Sequence, residues 1–332
     1  MQPMTVRERF HACMNFQPVD RLPMIEWAGW WDKTVERWQN EGLPVTDRYE
    51  MYRYFGLDMH YQFGLSHRGP ECPRPASHGA GILTNAADYE RILPHLYYEP
   101  EFNMELLEKA VAEQERGEAV IWITIRGFFW YPRELFGIEK HLYAFYDQPE
   151  LMHRMNRDLA EWIQKAIAKV RQYCNPDFIT FAEDMSYNHG SMLSKELFDE
   201  FMMPYYRQVL PGLKDGGTLI IVDSDGDITV PTAWFQEAGI QGMLPLERQS
   251  GVDIHTMRDR YPEMRFIGHF DKLTMTRGEE AMRAEFERLM PAMRRGGFIP
   301  SVDHQTPPGV SLAQYQTYLE LFREYTQKAA SS

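Results

Sequence analysis

The sequence predicts a single-domain α/β protein, a (β/α)8 barrel (TIM barrel) with an N-terminal helical and loop elaboration. Three observations predict it. From about residue 118, short apolar or β-branched runs alternate with amphipathic helical stretches, the pattern of parallel strands joined by right-handed crossovers. Polar residues collect at the C-terminal ends of those runs: Glu26; Arg126; Glu183 and Asp184; Asp223 and Asp225; Glu247; His269 and Asp271; Asp303 and His304. A barrel builds its active site there, with contributions from several strands. The third observation is the lack of a GxGxxG turn after an early run, which a doubly wound sheet would favour.

In chain order, a helix is predicted over Thr5–Asn15, with Thr5 as N-cap and Glu8 three residues on, a capping-box pattern. After the turn Pro18-Val19-Asp20 the run Leu22–Ala28 reads as the first strand. Residues 45–115 read as an irregular elaboration near the barrel mouth, with Pro/Gly-rich loops over Arg68–Pro75 and a helix over Glu101–Arg116. The later strands are Ala119–Ile125, Phe178–Phe181, Thr218–Val222, Gly242–Leu246, Arg265–Gly268 and Phe298–Val302. Helices are predicted over Gln148–Tyr173, Lys195–Lys214, Pro231–Ala238, Val252–Tyr261 and Glu279–Arg295. Gly216-Gly217 and Gly296-Gly297 stand where a helix ends and a strand begins. Ala329–Ser332 reads as a frayed tail, and one domain is expected over residues 1–332.

Composition bounds the function. The 332 residues carry a formal charge of −13, which argues against a general nucleic-acid binder, since phosphate contacts need clustered Lys and Arg. No apolar run approaches ~18 residues and the opening MQPMTVRERF has no apolar signal segment, so a soluble, cytoplasmic protein without a membrane partner is expected. Cys13, Cys72 and Cys174 form no CxxC pair and no disulfide framework. Any metal site must then rest mainly on His, Asp and Glu.

The run Asp223-Ser224-Asp225-Gly226-Asp227 follows the most apolar strand and could present two carboxylates to a divalent cation, or serve as an Asx-turn or N-cap. A Ca²⁺-loop reading fails because Trp234 stands where the loop needs its Glu. Glu247 and His269 follow Asp225 at spacings of 22 residues each, one β/α unit, so Asp225, Glu247 and His269 are predicted as metal ligands. Zinc is the expected ion, although an oxygen-rich set is not its preferred one, and a ring of rim salt bridges is the alternative. His304, beside Asp303, is a candidate acid/base, with Asp223 and Glu183 as further catalytic candidates. Glu26, Trp27, Trp30, Trp31, Phe129, Trp130 and Tyr187 follow strand ends and are predicted to line a pocket for a flat or apolar substrate; the aromatics could instead cover the barrel top.

The opening RERFHACMNFQPVDRLPM, the middle FAEDMSYNHGSMLSKELFDEFMMPYY and the late IGHFDKLTM and GGFIPSVDHQTPPGV resemble the uroporphyrinogen decarboxylase superfamily, in order and over nearly the whole chain. That resemblance implies a (β/α)8 barrel. True uroporphyrinogen decarboxylases carry an Arg-Gln-Ala-Gly-Arg run after the first strand; here Ile25-Glu26-Trp27-Ala28-Gly29-Trp30-Trp31 stands in its place, without the cationic clamps. The resemblance therefore implies the other branch, methyltransferases that work with corrinoid proteins, including coenzyme M methyltransferases and O-demethylase components. Several of these hold zinc through a His-x-Cys pair, which Asp223-x-Asp225 replaces. The expectation is transfer of a methyl group from a small aromatic methyl ether to a corrinoid (cobalamin) carried by a separate protein, with a metal or His304 activating the leaving oxygen. The chain's Asp58-Met59-His60-Tyr61-Gln62-Phe63-Gly64 misses the D-x-H-x-x-G cobalamin spacing by one. A homodimer is compatible with the resemblance. The competing expectations are a metal-free decarboxylase of a small carboxylated substrate and a non-catalytic small-molecule-binding barrel.

Overall fold

In the computed structural model, which describes residues 2–330, the first helix is Val6–Met14, and the predicted capping box closes it. Thr5 Oγ1 accepts from the Glu8 N–H while the Glu8 carboxylate accepts from the Thr5 N–H, so two orphan donors are satisfied at once. Ala329 and Ala330 belong to the helix Leu312–Ala330; the rest of the expected tail, Ser331 and Ser332, lies outside the described residues.

Seven parallel strands form one sheet: β1 Met59–Gly64, β2 Ala119–Arg126, β3 Phe178–Ala182, β4 Leu219–Asp223, β5 Gly242–Leu244, β6 Arg265–Ile267 and β7 Phe298–Ile299. Their spatial order equals their chain order. With right-handed crossovers, a sequential order sets the connecting helices on one face, and the sheet curls instead of lying between two helical layers. That curled sheet agrees with the predicted runs from β2 onward. Polar side chains on its concave side bond across strands: Gln62 Nε2 donates to Thr124 Oγ1 at 2.9 Å, and Trp122 Nε1 to Thr180 Oγ1 at 2.7 Å.

Two expectations need correction. The segment 45–115 is not all elaboration, because it contains β1, paired along its length with β2. In it Met59, Tyr61 and Phe63 alternate with the inward polar residues His60 and Gln62, so it shows no continuous apolar run like those of the later strands. Conversely, Leu22–Ala28 forms no strand ladder. It runs extended beside both ends of the sheet: the Asp58 N–H, just before β1, donates to the Met24 carbonyl at 2.9 Å, and the Trp27 N–H reaches Ser301 Oγ beyond β7 at 3.3 Å.

The predicted Lys195–Lys214 helix is two, Lys195–Phe201 and Met203–Leu213, interrupted at Met202 just ahead of Pro204. No helix among the described residues is long and apolar enough to cross a membrane.

Candidate active site

At the C-terminal ends of β3 and β4, Ala182 pairs with Asp223, so the residues just beyond them meet. Asp184 takes a left-handed backbone, φ +41°, and accepts the Asp225 N–H on its carboxylate at 3.2 Å. The carboxylates of Asp184, Asp223 and Asp225 thereby converge, with one oxygen of each within 4.8 Å of the others. The loop carrying Asp225 is pinned. Gly226, at φ +83°, presses on the backbone of Ser186 and Tyr187, where a Cβ would have no room, and the Asp227 N–H donates to the Tyr187 carbonyl at 2.9 Å. Asp227 itself forms the Asx-turn, accepting from the Thr229 N–H.

Like charges at this range oppose ionisation. Burial, then Asp225, pushes Asp184 up to about 6. Asp223 is raised by burial first, then by Asp184 and Asp225. His304 Nε2 lies 3.6 Å from the Asp225 carboxylate, which raises the imidazole above its ordinary value. The carboxylate beside His304 is therefore Asp225; its neighbour Asp303 is fully buried and paired with Lys272 at 3.1 Å. Together Asp184, Asp223, Asp225 and His304 line a cleft of about 250 Å³ with Trp27, Trp122, Gln62 and Arg48. The Trp27 ring stands edge-on to His304 and anchors through Nε1 to the Val302 carbonyl at 2.7 Å. Through Ala28, Arg48 and Gln305 the cleft adjoins a wider groove of about 390 Å³ that Trp30 also lines.

Several predicted residues are placed elsewhere. Glu183 is fully buried and turned away from the acid cluster. Its carboxylate accepts from the N–H groups of Phe128, Phe129 and Trp130 at 2.8, 2.8 and 3.1 Å and from the Tyr206 hydroxyl. A Cβ on Gly127 would fall on that carboxyl group. Desolvation still outweighs these donors and lifts Glu183 to about 7. Its role is to hold the loop after β2, in place of the catalytic role read from sequence. Glu183→Ala should cost about 3–5 kcal/mol, because several buried donors lose their acceptor together, and Tyr206→Phe about 1 kcal/mol. Urea midpoints check this, and an E183A midpoint equal to wild type would refute the assignment.

The predicted ligand set Asp225, Glu247 and His269 does not assemble. His269 Nδ1 faces the Leu246 carbonyl at 2.9 Å while Nε2 accepts the Ile254 N–H at 3.2 Å, so both ring nitrogens are engaged in packing the following helix. Glu247 accepts from the Gly226 N–H at 3.1 Å and Ser250 Oγ at 2.7 Å, bracing the Asp225 loop. Glu26 is buried and accepts from Ser301 Oγ, the Val302 N–H and the Tyr315 hydroxyl, away from the cleft.

Of the predicted aromatic wall, only part reaches a cavity. Phe129 is buried against His141 and Phe145, Trp31 is half exposed ahead of the helix Asp32–Asn40, and Tyr187 is half exposed on the small antiparallel pair Ser186–Tyr187 and Gly190–Ser191. Trp30 packs among Trp38, Tyr52, Phe55 and Tyr315, and Trp130 lines a separate cleft. Sequence reasoning missed Arg48, Gln62 and Trp122, and left Asp184 uncommitted. Gln62 and Trp122 were legible in principle, since they alternate with outward residues on β1 and β2. Arg48 was not, because it comes from the short helix Arg48–Tyr54 with no strand-end signal.

A family model described as uroporphyrinogen decarboxylase (URO-D) matches residues 132–325. Uroporphyrinogen decarboxylase of Bordetella parapertussis is 27% identical over 179 residues, covering 50% of this chain and 47% of that protein. Its counterpart from Alcanivorax borkumensis is 26% identical over 199 residues, 57% of this chain and 53% of the relative. The chain thus spans about half the length of the curated relatives it matches. Among solved structures, a methyltransferase from Methanosarcina mazei superposes with a TM-score of 0.65 over 97% of this chain and 99% of that one, at 12% identity, a likeness of fold.

Proposed function

The chain belongs to the uroporphyrinogen decarboxylase family, and on that premise we propose that it is a methyltransferase that takes a methyl group from a small aromatic methyl ether and delivers it to a corrinoid held by a separate protein. The fold in this reading is the closed (β/α)8 barrel, with the extended segment 22–28 as the eighth stave between β7 and β1. The observation that carries the proposal is the convergence of His304 with three carboxylates beside Trp27 at the strand ends. A pocket with three converging carboxyl groups and one lining arginine is a poor host for a substrate bearing many carboxylates, and a good one for protonating an oxygen as its bond to carbon breaks.

The cleft of about 250 Å³ has room for a single substituted ring and none for a corrin macrocycle, so the partner's corrinoid would face the mouth from outside. A reduced corrinoid supplies the nucleophile that accepts the methyl group. The rest falls to this chain. Trp27 and Trp122 bracket the ring and exclude water from it. Arg48 is held by the Tyr52 hydroxyl at 2.7 Å and the Gln62 side-chain oxygen at 3.2 Å, and it orients the ring through a polar substituent. His304, backed by Asp225, delivers a proton to the ether oxygen as the C–O bond breaks, so that a neutral phenol leaves. Asp184, Asp223 and Asp225 are also the residues that would hold a divalent cation, with His304 beside them; their oxygens suit a hard ion at least as well as zinc, and an ion there would polarise the same oxygen.

The test offers reduced corrinoid protein and a panel of aryl methyl ethers to the purified chain. Methylated corrinoid and free phenol should form together and in equal amounts. No methylated corrinoid across a broad panel, with a competent partner present, would sink the reading. One observation favours a second function: buried carboxyl groups that stay protonated toward neutral pH could protonate a carbanion left by decarboxylation, with Arg48 holding the departing carboxylate. Release of CO2 from a small carboxylated substrate, unaffected by chelators, is the result that would select it.

A further inference from the structure

On the other side of the β2 end lies a cleft of about 220 Å³, lined by Arg68, His78, Trp130, Arg133, Glu134 and Ile138 among others. Its walls are tied together. Ala80 and Gly137 form an antiparallel bridge, and the Ile138 N–H donates to the Gly79 carbonyl at 3.0 Å. The one carboxylate lining it, Glu134, is already engaged by Arg126 at 3.0 Å and by Trp130 Nε1 at 2.9 Å.

The Arg68 side chain donates only to a main-chain carbonyl, that of Glu134 at 3.1 Å, and its buried Nε has no partner. Arg133 lies over the Trp130 ring at 4.7 Å and donates to the Asp184 carbonyl at 3.1 Å. Among the described residues neither guanidinium meets a carboxylate. In a chain of net charge −13, two arginines without an acidic partner share one walled cleft with an indole and an aliphatic side chain. Placing a guanidinium beside apolar surface without its counter-ion costs free energy that a bound anion recovers.

We propose that this cleft binds a small organic anion, a carboxylate or phosphate carried on an apolar group, between Arg68 and Arg133. The apolar group rests on Trp130 and Ile138. The site is separate from the acid cleft and does not depend on methyl transfer. It is not isolated from it either, because the Arg133 guanidinium that would meet the anion also holds the main chain of Asp184.

The test is calorimetric titration of the full chain with benzoate, phenyl phosphate and neutral benzamide. At least one of the two anions should bind at one per chain and benzamide should not; whichever headgroup binds more tightly identifies the natural one. Arg68→Gln and Arg133→Gln should each weaken the anion by about tenfold or more, the scale of a charged hydrogen bond. Arg68→Lys and Arg133→Lys should keep affinity within a few-fold, which guards against a fold defect in the Gln variants. Arg48→Gln removes any second binding event in the acid cleft and should leave unchanged the event that R68Q and R133Q weaken. Equal binding of benzamide, affinity untouched by R68Q and R133Q, or loss of binding in R48Q alone would each overturn the proposal.

Discussion

Acidification below about pH 5 should collapse this fold within roughly one pH unit. His60, His67 and His141 are buried with neither ring nitrogen bonded to a protein partner, and burial depresses each to about 3; His269, buried and facing Arg288, lies at about 4. A histidine whose folded value lies below its ordinary 6.5 binds its proton more readily unfolded, so its contribution to stability is present above 6.5 and drains away as pH falls toward the folded value. Each such group costs about 1.4 kcal/mol per pH unit, and four together about 5.6 kcal/mol per pH unit, against a typical total of about 5–15 kcal/mol.

Five carboxyls act in the opposite direction. Glu26 and Glu183 are raised above their ordinary 4.5, and Asp184, Asp223 and Asp303 above their ordinary 3.8, so the folded state gains as pH falls through their folded values. That gain offsets the histidine loss down to about pH 5, and it is exhausted near the ordinary carboxylate range while the histidine penalty continues. The expected curve is a plateau from neutrality to about pH 5, then a cliff. Urea midpoints across pH read it directly. His141→Leu, placed between Phe129 and Phe145, should reduce the slope of the cliff by about 1.4 kcal/mol per unit and leave neutral stability equal or higher. Equal midpoints at pH 7 and pH 4 would refute the account.

Asp223→Asn should separate function from stability in opposite directions. The substitution keeps the shape of the side chain and removes one of three converging carboxylates, so the fold should gain about 1 kcal/mol at neutral pH. Turnover should fall by about 10²–10⁴-fold, the range for loss of a positioned proton-transfer or charge-bearing group. Measured together, a higher urea midpoint and a lower kcat/KM mark the cluster as strain retained for chemistry. A lower midpoint would show the carboxylates to be structural, and unchanged turnover would remove Asp223 from the reaction.

How far these features could be read from the chain depends on what decides them. The capping box at Thr5 and Glu8 and the runs from β2 onward were legible because they rest on neighbours in sequence. β1 carries only the alternation Met59-His60-Tyr61-Gln62-Phe63, because His60 and Gln62 face the concave side, and it lacks the continuous apolar run that marks the later strands. At the end of β3 the chain offers Glu183 and Asp184 side by side. Only the left-handed turn at Asp184 decides that one carboxylate joins the cluster while the other seals a loop. His269, also at positive φ, is turned to the helix behind it for the same kind of reason. Spacing by β/α units located the right strand ends and could not say which way a side chain leaves them. Aromatic runs were ambiguous as well: in Phe128-Phe129-Trp130-Tyr131 three rings are core and one reaches a cavity.

The bonds of Glu26 to Ser301, Val302 and Tyr315 span 275 to 289 positions of sequence. They work as a clasp, and a clasp closes last. Loop-closure entropy places such contacts at the end of assembly, so Met24 can meet Asp58 early while the stretch from Ile25 on must wait until β7 and the helix Leu312–Ala330 have been made. During synthesis the early chain would spend that interval with Ile25 and Trp27 uncovered, which is when a chaperone would matter most to it. In the finished protein the same clasp makes distant pieces of sequence open as one unit. Amide protons of residues 22–28 and of the last helix should therefore exchange with solvent in step.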